Sequence, residues 1–218
     1  MAKKDPKEEF EGMLNGLGED SSVTRHFFLI HRSFFVSLRY DDLEEKIDRS
    51  RRFWSFVING LQNGIFSSLG RFFDTKGGYG LRRVINYALA SPSIFRADHV
   101  TYLTRLCDEV EHYRDAYDRA CAPIRNQVIA HSVHTNAEKK SELFSELCDD
   151  EIFRLVCFVK LLTDALRALY YKGEEHSLPF DIPEFPDEMS REGSIPFLDE
   201  WGLASETSST LRTILTNS

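Results

Sequence analysis

Apolar positions recur at helical spacing along most of the chain. Val23, Phe27, Ile30, Phe34 and Leu38 follow one another at intervals of three and four, the stripe of an amphipathic helix, with Arg25, Arg32 and Arg39 between them. After Asp41 and Asp42, which suit an N-cap, a second stripe runs Leu43, Ile47, Trp54, Ile58, Leu61, Ile65, Leu69 and Phe72 and predicts the longest helix. Lys76-Gly77-Gly78 and Gly80 break that pattern and predict its C-cap and turn. A short helix is predicted over Leu81 to Leu89, stopped by Ser91-Pro92. Val100, Leu103, Cys107, Val110 and Tyr117 predict a third long helix over residues 98–121, after which Pro123 suits the first turn of a new one. From Ser141 onward, Leu143, Leu147, Leu155, Phe158, Leu162, Leu166 and Leu169 predict a last long helix, closed by Lys172-Gly173.

No segment shows the sustained period-two alternation of a strand, so the expected class is all-α. Four long helices pack most simply as a four-helix bundle, with residues 123–133 as a short additional helix. The expected organisation is a polar N-terminal segment over 1–21, a helical domain over 22–172 and an extended acidic C-terminal tail over 173–218. Ile195, Phe197, Leu198 and Trp201 are the tail's candidate anchors. Gly60 and Gly64 weaken the long helix and point to the close approach of another one, in the same chain or a partner.

Composition adds three exclusions. With 218 residues, 42% of them hydrophobic and 12% aromatic, the chain belongs with soluble globular proteins rather than disordered or fibrous ones. The 18 uncharged residues from Phe53 to Gly70 include three Gly, Asn59, Gln62 and Asn63, too polar for a membrane span. The charged N-terminus MAKKDPKEEFEG has no apolar core of a secretory signal, so no membrane contact and a cytoplasmic location are expected. Cys107, Cys121, Cys148 and Cys157 form no CxxC pair and read as small buried hydrophobes.

The net charge of −8 is unevenly distributed. Residues 1–21 carry 3 basic against 6 acidic side chains and residues 173–218 carry 2 against 10, so the ends sum to −11 and the body to +3. Within that body the basic excess lies in residues 22–97, with 12 basic against 6 acidic side chains, which leaves room for a local phosphate-binding surface. The acidic tail either masks such a surface as a mimic of RNA or keeps the protein soluble.

The segment Pro123-Ile124-Arg125-Asn126-Gln127-Val128-Ile129-Ala130-His131-Ser132 places an Arg, an Asn and a His on one short predicted helix. Arginine presents a fixed charged fork to phosphate oxygens, and histidine exchanges a proton near neutral pH. Six residues of ideal α-helix turn about 600°, which leaves Arg125 and His131 about 120° apart. A second copy across a two-fold axis would bring two Arg and two His into one cleft. The alternative is structural: a surface or capping ion pair for Arg125 and a partly buried place for His131.

This stretch, with Asn126 directly after Arg125 and Ala130-His131-Ser132 at its end, resembles the R-x(4 to 6)-H signature of the HEPN superfamily, the higher eukaryote and prokaryote nucleotide-binding domains. The preceding long helix ends in Leu69-Gly70-Arg71-Phe72-Phe73-Asp74, which resembles the abortive-infection U-type branch. The resemblance covers residues 22–172. It implies a HEPN-type bundle and a homodimer whose two motifs form a composite, metal-independent endoribonuclease site without cofactor. Arg125 and His131 match the active motif and Asn126 its polar neighbour, with RNA as substrate, a 2′,3′-cyclic phosphate as product and an antitoxin protein as a candidate partner. The competing expectation is a catalytically inactive helical dimerisation module that binds a partner protein or nucleotide.

Arg71 and Asp74, three apart, either pair within their helix or orient the cleft as supporting residues. His131 and His134 share a helical face but have no carboxylate or Cys within the next turn, so no metal site is expected. Arg49, Arg51 and Arg52 beside Phe53 and Trp54 form either an RNA-facing edge or a solvated helix face.

Overall fold

A computed structural model describes residues 5–41, 44–73, 80–126, 149–186 and 195–216. They form helices and no strand: α1 (Pro6–Asp41), α2 (Glu44–Arg49), α3 (Arg51–Phe73), α4 (Leu81–Ala90), α5 (Val100–Ala120), α6 (Ala122–Ile124), α7 (Asp149–Lys172) and α8 (Leu203–Thr216), with a 3₁₀ turn over Ala97–His99. The chain divides into one unit of Met1–Ser22 and Phe66–Ile182 and a second of Val23–Ile65 and Pro183–Ser218.

The first unit is an aromatic-rich helical core. Phe10, Leu14 and Leu17 of α1, Phe66, Leu69 and Phe72 of α3, and Val84 and Ile85 of α4 are buried. On α5, Leu103, Val110 and Tyr117 of the predicted stripe are buried together with Leu106, whereas Val100 is exposed. Helix α7 is buried on most of its surface, through Phe153, Val156, Cys157, Phe158, Leu162, Leu166 and Leu169, as befits a central helix. It stops at Gly173, whose φ of +70° is a conformation that favours glycine. The Gly173 N–H closes the helix on the Leu169 carbonyl at 3.0 Å. The following residues stay on this unit: the His176 N–H donates to the Tyr102 hydroxyl (3.0 Å) and Arg105 donates to the Leu178 carbonyl (3.0 Å).

The second unit gathers Phe34, Trp54, Leu211 and Leu215 into a small core, with Leu38, Ile47, Val57 and Ile58 packed against it. Arg25 pairs with Glu200 at 3.2 Å and the Ser37 hydroxyl bonds that of Ser208 at 3.1 Å.

Three expectations change. The stripe from Leu43 to Phe72 is two helices, because the chain turns at Ser50, whose N–H bonds the Ile47 carbonyl at 3.0 Å. The segment expected to be merely polar starts a 36-residue helix at Pro6, since Phe10, Leu14 and Leu17 lie on one helical face among the charges. The tail has no regular secondary structure over 173–186, but Leu203–Thr216 is helical and buries Ala204, Ser208, Leu211 and Leu215. Of its expected anchors Ile195 and Leu198 are buried, whereas Trp201 is 77% exposed. No helix among the described residues is long and apolar enough to cross a membrane.

Candidate functional site

The segment that carries Arg125 is fixed by the residues just before it. At the end of α5 the Cys121 N–H donates to the Tyr117 carbonyl (2.8 Å), and the Arg125 N–H donates to the Cys121 carbonyl (3.0 Å). Proline falls in the first turn of α6, where its missing N–H costs nothing. Cys121 and Ile124 are buried and pin this turn, so the next residue, Arg125, is left half-buried and Asn126 exposed. At these two residues the helix widens to a π-type turn, a feature that recurs at functional sites.

Around the Arg125 side chain the contacts are long-range. A methyl group at Gly70 of α3 would lie 2.5 Å from Nε, 2.7 Å from Cδ and 2.9 Å from Cζ of Arg125, so the guanidinium stem rests on bare helix backbone. Burial pushes the Tyr117 phenol up to about 12, and the Arg125 guanidinium near it pulls the other way. The Tyr117 ring stacks on Phe73 (centroids 5.1 Å apart, planes 16° apart), and Phe73 in turn lies 6.3 Å from Phe158. Tyr113 covers Phe158 at 3.9 Å and 12°. Arg125 therefore borders a stack of rings drawn from α3, α5 and α7.

Arg71 reaches across to another helix. Its Nη2 and Nε donate to the two carboxylate oxygens of Asp20 on α1, at 2.8 and 3.3 Å, and Nη2 also reaches the Ser68 hydroxyl at 3.3 Å. This fork ties α1 to α3 across 51 residues of sequence. Asp74, His131 and His134 lie outside the described residues, so the structure places Arg125, Asn126 and Arg71 and leaves the pairing with His131 to solution experiments. Cys107, Cys121 and Cys157 are free thiols, with the last two fully buried; Cys148 is outside the described residues.

Two further expectations concern residues of the second unit. Gly64 admits the Phe27 ring of the same chain, which a methyl group there would meet at 2.8 Å, while Gly60 has no atom within 4 Å of such a group. In the basic cluster Arg49 pairs with Glu45 (3.0 Å) and Arg51 with Asp48 (3.5 Å), Trp54 is buried, and Phe53 and Phe56 are exposed.

A cleft of about 760 Å³ between α5 and α7 was not foreseen from sequence, because its lining comes from charged positions that individually read as solvated faces. Asp115, Asp118, Asp150 and Glu151 outnumber Arg119 and Arg154 there, so this cleft does not concentrate phosphate. Among the described residues no three His, Cys, Asp or Glu side chains gather as a metal ion requires.

Among the described residues the fold is all-helical, with an arginine on a widened turn after a long helix and a second long helix lending it backbone, the class of helical bundle. The AbiU2 family model, a HEPN family, matches residues 7–189, and the chain belongs to that family. The match takes in the first turns of α1 and the stretch after α7, beyond the 22–172 suggested by motif alone. No curated protein and no solved structure matches the chain. Membership links the protein to abortive infection.

Proposed function

We propose that the protein is a metal-independent endoribonuclease of an abortive-infection or toxin–antitoxin system, acting as a homodimer with a composite site. The observation that carries this reading is that an AbiU2-family chain has Arg125 and His131 six residues apart, with Arg125 held half-buried at a structured helix end. In the reaction a ribose 2′-oxygen attacks the adjacent phosphorus and the bond to the 5′-oxygen of the next nucleotide breaks. One His131 takes the 2′-hydroxyl proton and the other returns a proton to the leaving oxygen. Arg125 stabilises the charge that builds on the non-bridging oxygens of the phosphorane-like transition state. The products are a 2′,3′-cyclic phosphate and a 5′-hydroxyl, and DNA, lacking the nucleophile, is not cut.

The test is cleavage of single-stranded and transfer RNAs in EDTA by the wild-type protein, Arg125→Ala and His131→Ala, with analysis of product ends. Cleavage that leaves cyclic phosphates and falls by about 100-fold or more in each variant is the expected result. Cleavage retained in both variants, or a folded, dimeric wild-type protein inert on every RNA, refutes the reading and leaves a dimerisation module that binds a partner protein or nucleotide.

A further inference from the structure

Gly70 occupies the last turns of a 23-residue helix, beside the buried apolar side chains of Leu69, Phe72 and Phe73. Glycine is a poorer helix former than alanine, and nothing in the backbone of α3 demands it: φ at Gly70 is not in the left-handed region. What the position lacks is room. Every one of the three closest atoms to a methyl group there belongs to Arg125, at 2.5 to 2.9 Å. On α5, Tyr117 is 3% exposed, and its hydroxyl, which meets no full hydrogen-bond geometry among the described residues, lies within electrostatic reach of Arg125.

We propose that Gly70 is a positioning residue for Arg125: its missing side chain turns the α3 backbone into a seat that, with Tyr117, sets where the guanidinium points. The inference rests on the ribonuclease reading for its consequence but not for its geometry. The arginine is flexible at its far end, so a methyl group at Gly70 displaces Arg125 rather than splitting the helices apart. Stability and function then move in opposite directions. A purely structural glycine would lose both together.

The experiment compares Gly70→Ala, Arg125→Ala, the double variant and Gly12→Ala, an exposed α1 position with no atom within 4 Å of the added methyl. Three properties are read: thermal midpoint, the NMR signals of the Tyr117 ring (assigned through Tyr117→Phe), and kcat and KM for RNA cleavage. Gly70→Ala is expected to keep or raise the midpoint and to move the Tyr117 signals in the direction Arg125→Ala moves them. Its kcat falls about 10- to 100-fold with KM within about twofold, as for a misplaced transition-state contact. The double variant cleaves no more slowly than Arg125→Ala, and Gly12→Ala retains wild-type kinetics. An unmoved Tyr117 ring in Gly70→Ala overturns the proposal, as does wild-type kcat.

Should Gly70→Ala unfold, the same substitution in the Arg125→Ala background decides. Recovery there shows that the methyl met Arg125, and no recovery overturns the seat. If the wild-type protein cuts no RNA, the ribonuclease reading fails while the Tyr117 signals still settle whether Gly70 positions Arg125.

Discussion

Three buried acids make the fold sensitive to alkali in a way that can be worked out in advance. Burial drives the Cys121 thiol up to about 12, with the Glu151 carboxylate adding to the effect, and drives the Cys157 thiol up as well. Burial likewise holds the Tyr117 phenol at about 12. In the unfolded chain these groups ionise near their ordinary values, about 9 for a thiol and 10 for a phenol. The folded values are raised, so the unfolded state sheds its protons first, and stability is complete below the unfolded pKa and declines as pH rises towards the folded one. At about 1.4 kcal/mol per unit, Cys121 forfeits about 2 kcal/mol by roughly pH 10.5 and Tyr117 about 1 more. Against a total of about 5–15 kcal/mol for a domain, that loss is readily measured. The assay is urea unfolding followed by circular dichroism under reducing conditions, at pH values from about 7.5 to 10.5. Wild-type stability is expected to be flat up to about pH 8 and to fall by about 3 kcal/mol or more at the upper end, with Cys157 adding to the fall. Cys121→Ala starts lower, because a buried sulfur is lost, but its decline over the same range is shallower by about 2 kcal/mol. Wild-type and Cys121→Ala curves that run parallel would refute the assignment of this alkaline loss to the buried thiol.

Two point substitutions test the two units separately. Phe158 is wholly buried, stacked on Tyr113 at 3.9 Å and meeting Phe180 edge-on at 6.0 Å, so Phe158→Ala is expected to cost about 3–5 kcal/mol and to lower the thermal midpoint by about 10 °C; a fall of under 3 °C would contradict the packing. Asp199 accepts from the Leu203 and Ala204 N–H groups at 2.7 and 3.1 Å, capping α8, so Asp199→Ala is expected to cost about 1 kcal/mol and to speed amide exchange in the first turn of α8, whereas Asp199→Asn keeps most of the protection.

The helices were legible wherever the apolar stripe was unbroken, because periodicity is a local property of the chain. Val100, Leu103, Val110 and Tyr117 foretold α5 to within two residues, and Pro123 its restart. The break at Ser50 was hidden because Ile47 and Trp54, on either side of it, pack in the same cluster and so continue the stripe through the turn. Counting charge concealed the start of α1, where Phe10, Met13, Leu14 and Leu17 are buried among acidic, basic and small polar positions. The site follows the same division. Residue types offered Arg125 and Asn126 as candidates, but no local pattern showed that Arg71 would bond Asp20 of α1 or that Arg125 would lie against Gly70. Contacts separated by about fifty residues are properties of packing, and no local pattern encodes them.

That division has a consequence for how an arginine on so short an element can be aimed. A turn of three residues holds too few backbone hydrogen bonds to fix a long side chain, whose loss of rotamer freedom costs about 2 kcal/mol. Here Cys121 and Ile124 anchor the turn in the core, Gly70 bounds the Arg125 stem on one flank, and Tyr117 is held by its stack on Phe73. The ordering is thus borne by α3 and α5, the helices with the larger buried area, and the turn itself needs little intrinsic stability. Substitutions that loosen the ring stack should therefore disturb Arg125 even where they touch no charged group, and Phe73→Leu should do so more than a change of equal size on α4. A pure charge account of the site predicts no such difference, so the Tyr117 ring signals in those two variants separate the two accounts.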